Sequence, residues 1–182
     1  EMIRDGMLLV AGRLQRNGGG PALPLDDRKA LRPGDLVNPP TVGGGFELPE
    51  RLRNGRSIYQ PVIRSYFHKS ADVLELFDTP SPNHIVGHRD TTVVPTQSLF
   101  LLNSPFVRDR AEELAQRILN DATSTSDEQR LQQLWLIALG KPIEEPHRKA
   151  ALAWLSSAEK RQKAWARLCH SVLASNEFLF RR

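Results

Sequence analysis

The sequence predicts a mainly α-helical protein in which an irregular, Pro/Gly-rich N-terminal half is followed by a small helical bundle. Two observations carry this. Most of the 13 prolines and 12 glycines lie before about residue 105, whereas the remainder is rich in Leu, Ala, Glu, Gln and Arg. That remainder also holds consecutive stretches with apolar residues at helical spacing, joined by short polar connections, the pattern of antiparallel helices packed together. The chain divides into the end of a helix over residues 1–15, a loop-rich region over 16–95 and a bundle over 96–182, together the latter part of one domain.

Ile3, Met7, Val10 and Leu14 are spaced four, three and four apart and predict the first helical face. Asn17 and Gly18 to Gly20 stop it. This run and Gly43 to Gly45 lack the preceding strand and following helix of a phosphate-binding loop, and read as connectors. Six prolines between Pro21 and Pro49 predict an extended surface segment up to Arg56. Ser57 to Ile63 is β-branched and aromatic, suited to a short extended piece that Pro61 confines to an edge. Ser70 to Phe77 turns helical, with Val73, Leu74 and Phe77 on one side, and Thr79 to Asn83 form a turn.

After Pro95, Thr96 to Leu102 predicts a short buried helix capped by Thr96, with Gln97 bonding loop backbone and Leu99 to Leu102 covered by the Arg-containing loop. Ser104 and Pro105 supply the N-cap and first-turn proline of the next helix, whose apolar face is Val107, Ala111, Leu114 and Ile118. Ser126 and Gln129 match a capping box, and Leu131, Leu134, Trp135, Ala138 and Leu139 follow until Gly140. Ala151, Trp154, Leu155 and Ala158 mark another helix, and Trp165, Leu168, Cys169 and Val172 the last. Trp135, Trp154 and Trp165 are therefore expected in the core.

A formal charge of +4 arises from 25 basic and 21 acidic residues that are interspersed, so nucleic acid is not an expected partner. The densest basic spots, Arg51, Arg53 and Arg56, then Lys160, Arg161, Lys163 and Arg167, read as solvated surface. No apolar run approaches the roughly 20 residues that span a bilayer. Glu1 leads directly into a helical pattern without a signal peptide, as a cut inside a longer polypeptide would. A single cysteine excludes an intrachain disulfide.

His84 and His88 are four apart with Asp90 close behind, the spacing of a helical metal pair, but Pro82 and Gly87 make the stretch turn-like. These three are the candidate metal ligands, and surface histidines the simpler expectation. Asp72, Glu75 and Asp78 form an acidic cluster beside Arg64, His68 and Lys69. Arg56, Arg64 and Arg89 lie in irregular segments near apolar or aromatic residues, where a guanidinium holds a carboxylate, phosphate or haem propionate through its planar fork or, as the favoured expectation, bonds loop carbonyls. With Asp78 they are the candidate ligand-binding set; for Arg89 a structural role is expected. Ala166-Arg167-Leu168-Cys169-His170 lacks the first cysteine of a C-x-x-C-H haem attachment, which excludes two thioethers. A single-thioether site is the alternative to Cys169 as a small core residue, the expected role, and no cofactor is expected in this chain. Neither G-x-S-x-G nor S-x-x-K occurs.

Glu1 to Asp5 (EMIRD), Arg56 to Arg64 (RSIYQPVIR), Leu76-Phe77-Asp78, Pro82-Asn83, Leu139 to Pro142, Ser175 to Phe180 and above all Thr92 to Val107 (TVVPTQSLFLLNSPFV) occur in an order that resembles the planctomycete-type C-terminal domain of unknown function. The resemblance implies a module closing a large exported protein that carries a cytochrome-c-like domain, hence a periplasmic or cell-surface setting, haem c elsewhere in the polypeptide, and the other domains of that polypeptide as partners. His88 and Asp90 stand where that family is expected to have Arg and Asn, which favours Arg89 over a histidine metal site. Two functions follow: an accessory docking module linked to polysaccharide degradation, or an enzyme domain binding an anionic or sugar substrate between the loop region and the bundle through Arg56, Arg64, Asp78 and Arg89. An enzyme needs these groups to converge in one pocket, whereas a docking module exposes an apolar face.

Overall fold

The computed structural model describes residues 1–16, 53–60, 71–80, 85–88 and 92–180. These are mostly helical: α1 (Met2–Val10), a 3₁₀ turn (Ser57–Tyr59), α2 (Ala71–Leu76), α3 (Pro95–Asn103), α4 (Pro105–Leu119), α5 (Asp127–Leu139), α6 (Glu145–Ser156), α7 (Arg161–Leu173) and α8 (Asn176–Leu179). Among the described residues the only β pairing is an isolated parallel bridge between Gln15 and Gly55. Two compact units result, one of Glu1–Asp5 and Leu14–Val94, the other of Gly6–Arg13 and Pro95–Arg182.

In the first unit, the segment from Ser57 is a 3₁₀ turn rather than extended, and Gln60 alone of its described continuation is extended. Residues 61–63 lie outside the described residues. The helix expected near Ser70 is α2, with Val73 buried. Asp78 follows it in the left-handed region at φ 57°, and the Thr79 amide bonds back to the Leu74 carbonyl at 3.1 Å. That closes the helix by a Schellman-type reversal, a conformation aspartate tolerates better than most residues.

The second unit contains the bundle and the rest of α1. The helix ends at Val10, earlier than the glycine run predicts. Gly12, at φ 76°, donates to the Leu9 carbonyl at 3.0 Å, and Arg13 to the Leu8 carbonyl at 2.8 Å, a complete Schellman motif. The Arg117 guanidinium caps the same end through the Val10 carbonyl at 2.8 Å. Arg4, Met7, Leu8, Val10 and Ala11 are buried, so Met7 and Val10 of the expected stripe lie in the core while Ile3 and Leu14 are only half-buried.

The most extensive helix pair is α4 with α7. Val107, Ala111, Leu114, Ala115 and Ile118 of α4 are buried, as are Ala164, Trp165, Cys169, Val172 and Leu173 of α7. The alanines on both helices permit close approach, and the large side chains fill the seam. α5 buries Leu131, Leu134, Trp135 and Ala138, and α6 buries Ala151 and Leu155. Trp154 is 44% exposed, contrary to expectation, because it lies at the edge of the Ala151–Leu155 stripe. Ala158 lies beyond the end of α6.

Caps follow the sequence unevenly. Ser126 and Gln129 form the predicted capping box, the Gln129 amide donating to Ser126 Oγ at 3.2 Å and the Ser126 amide to Gln129 Oε1 at 3.3 Å. Gly140 ends α5 at φ 69°. Ser126→Ala is expected to lower stability by about 1 kcal/mol in chemical denaturation, and an unchanged midpoint would contradict this role. Ser104 precedes Pro105 as predicted, but its hydroxyl makes no cap bond. Thr96 is inside α3, which begins one residue earlier at Pro95, so it is not the cap. Ahead of α5, hydrogen bonds from the Thr123 hydroxyl, the Thr123 amide and Gln133 hold the Asp121 carboxyl below its ordinary pKa.

Candidate functional site

The most strongly organised polar group among the described residues joins the start of α1 to the 3₁₀ turn. Arg4 is 1% exposed, so its charge must be met inside the protein. Its Nη1 donates to the Gly55 carbonyl at 3.0 Å, to Ser57 Oγ at 3.2 Å and to Asp5 Oδ1 at 3.0 Å, and its Nη2 to the Arg53 carbonyl. Asp5 completes the lock by accepting from the Ser57 amide at 3.0 Å and from Ser57 Oγ at 2.6 Å. One guanidinium thus fixes three successive parts of a loop, which an ammonium could not do. Sequence reasoning missed the cluster. Its signal was a charged residue three and four positions before Met7 and Leu8, on the buried side of α1.

The predicted candidates fare differently. Asp78 accepts from the Thr92 amide at 2.7 Å and from Thr92 Oγ1 at 2.8 Å, bonds that pin two segments of the first unit together. Arg56 is exposed and supplies the carbonyl that the Tyr59 amide bonds at 2.9 Å, opening the 3₁₀ turn. His88 is exposed. Arg64, Arg89, His84 and Asp90 lie outside the described residues, as do the side chains of Asp72 and Glu75. Among the described residues no three His, Cys, Asp or Glu side chains are grouped to hold a metal. None of the described helices is long and apolar enough to cross a membrane.

Within the bundle, a groove of about 480 Å³ is lined by Trp135, His147, Trp154 and Val172 among others. The Trp135 and His147 rings lie 6.3 Å apart, tilted by 31°. Glu177, also on the groove, binds Lys141 at 3.2 Å, a hydrogen bond that raises the Lys141 pKa above its ordinary value. The Ser171 and Ser175 hydroxyls there donate to the Leu168 and Val172 carbonyls, at 2.8 and 2.7 Å.

A family model covers residues 1–155 of the chain, from Glu1 through both sides of the Arg4–Ser57 lock to Leu155. The chain belongs to the PSD1 family. That family is described as a protein of unknown function (DUF1553). No curated protein and no solved structure matches the chain. The PSD1 match stops within α6, so α7 and α8, with the Ser175 to Phe180 run, lie beyond it. α7 nevertheless supplies Trp165, Cys169 and Leu173, each fully buried, to the core.

Cys169 of this PSD1 chain is buried, and Ala166 stands three residues before it. Burial pushes its thiol well above its ordinary pKa. The native chain is expected to leave a thiol-reactive dye unreacted at mildly alkaline pH, with one thiol appearing on denaturation. Full reaction of the folded chain would contradict the packing of α7.

Proposed function

We propose that the chain is a non-catalytic accessory module that docks against other domains of a larger exported, haem-containing protein. The exported setting, periplasmic or cell-surface, the haem elsewhere in the polypeptide and a link to polysaccharide degradation rest on the resemblance of the Thr92-to-Val107 run and its companion motifs. The docking role rests on α3. Leu101 and Gln97 of this helix are buried, while Leu99 and Leu102, three apart and so on one face, are 58% and 57% exposed. The Arg64 and Arg89 parts of the loop expected over this face lie outside the described residues. Paired leucines presented to water suit a partner's apolar surface. The enzymatic alternative has less support, since Asp78 is bonded to Thr92 and Arg56 stands at the surface.

Leu99→Glu combined with Leu102→Glu is expected to abolish association with the remaining domains supplied as a separate polypeptide. The chain's own stability should change by no more than about 0.5 kcal/mol, as for other exposed positions. Undiminished association of the variant would contradict the reading.

A further inference from the structure

A second groove, of about 280 Å³, runs between α4 and α7 and differs in character from the Trp-lined one. Arg108 contributes from α4, and Lys163 and Arg167, four apart on one face, contribute from α7. Ala111 and Ala166 keep its floor shallow, and His170 closes one side, its Nε2 donating to the Leu101 carbonyl at 2.8 Å. Several other bundle cations are matched to carboxylates: Arg110 to Glu113 at 2.5 Å, Arg13 to Glu113 at 2.7 Å, Lys141 to Glu177 at 3.2 Å, and Arg161 to Asp127. Arg117 is instead matched to the Val10 carbonyl at 2.8 Å. Among the described residues no ion pair involves Arg108, Lys163 or Arg167, although Glu112 lines the same groove. Like charges four apart on a helix are destabilising when nothing offsets them. Three cations gathered on one concavity without a carboxylate partner are the arrangement that a bound anion relieves.

We propose that this groove binds a multivalent oxyanion, a phosphate or sulfate group held by Arg108, Lys163 and Arg167. The group comes either as a free ion or carried on an anionic polysaccharide; the chemistry recognised is the same. A nucleic-acid duplex needs a longer basic stripe, because it presents a charge every ~1.7 Å along its axis. The groove, of about 280 Å³ and with exposed cations at its rim, has the size for a single anionic group, and Glu112 at its wall works against a larger polyanion. The assignment stands apart from the docking role, because it concerns binding by the chain alone.

The test titrates the full chain with inorganic phosphate and, separately, with dextran sulfate. It compares Arg108→Gln/Lys163→Gln/Arg167→Gln with a charge-matched control, Arg148→Gln/Lys149→Gln/Lys160→Gln. The groove variant should bind at least about tenfold more weakly while the control retains the parent affinity. Loss of phosphate binding in the groove variant identifies the free ion as sufficient. Binding of dextran sulfate alone, lost in the same variant, assigns the polymer. If the groove variant fails to fold, phosphate-induced amide shifts in the parent must concentrate at residues 108–112 and 163–170. Equal losses in both variants, no binding of either probe, shifts dispersed over the bundle, or tighter binding of duplex DNA than of dextran sulfate would overturn the proposal.

Discussion

A chain ending at Leu155, where the family match stops, is expected to lose the cooperative unfolding of the helical bundle. The cut removes α7 and with it Trp165, Cys169 and Leu173, all fully buried, and it bares the Val107–Ile118 face of α4. Each large apolar side chain contributes about 1.5–3 kcal/mol by burial, and a domain retains only about 5–15 kcal/mol in all, so losing both sides of this seam exceeds what the remainder supplies. The gentler form is Trp165→Ala, expected to cost about 3–5 kcal/mol, whereas Trp154→Ala should cost far less because that indole is half exposed. Thermal unfolding followed by circular dichroism distinguishes these. A sharp transition in the truncated chain, close to that of the parent, would show that α7 is dispensable.

Arg4→Met is expected to destabilise the first unit by about 3–5 kcal/mol, the typical cost of removing one partner of a buried pair. The variant leaves Asp5 without its cation and the Arg53 and Gly55 carbonyls without their donor. Arg4→Lys should recover part of the loss, since it restores charge but not the fork that reaches three loop positions. The measurement is amide exchange over residues 53–60 together with global unfolding. Parent-like exchange in Arg4→Met would mean that the loop is held by something other than the lock.

The sequence was legible where periodicity and local caps act alone. The α4 face from Val107 to Ile118, the Ser126–Gln129 capping box and the Gly140 stop are each determined within a few residues, and each is present as expected. The Arg4 lock was not, because its partners are 51 and 53 residues away and a single charged side chain on an apolar stripe does not say what meets it. α3 was ambiguous for another reason. Leu99, Phe100, Leu101 and Leu102 place apolar groups around the whole helix, so the pattern could not choose which side is buried. Trp154 illustrates the edge of a stripe, where an indole at helical spacing lines a groove instead of filling a core. Asp78 was singled out for its charge, yet its described bonds are those of a turn residue.

The proposed docking role depends on whether the outer face of α3 becomes covered in the proposed larger polypeptide. Hydroxyl-radical footprinting of Leu99 and Leu102 reads side-chain accessibility directly, with Leu101, already buried, as the internal reference. The docking account predicts that both leucines react readily in the isolated chain and are strongly protected in the intact protein, while Leu101 is protected in both. Equal labelling of Leu99 and Leu102 in the isolated chain and the intact protein would contradict it.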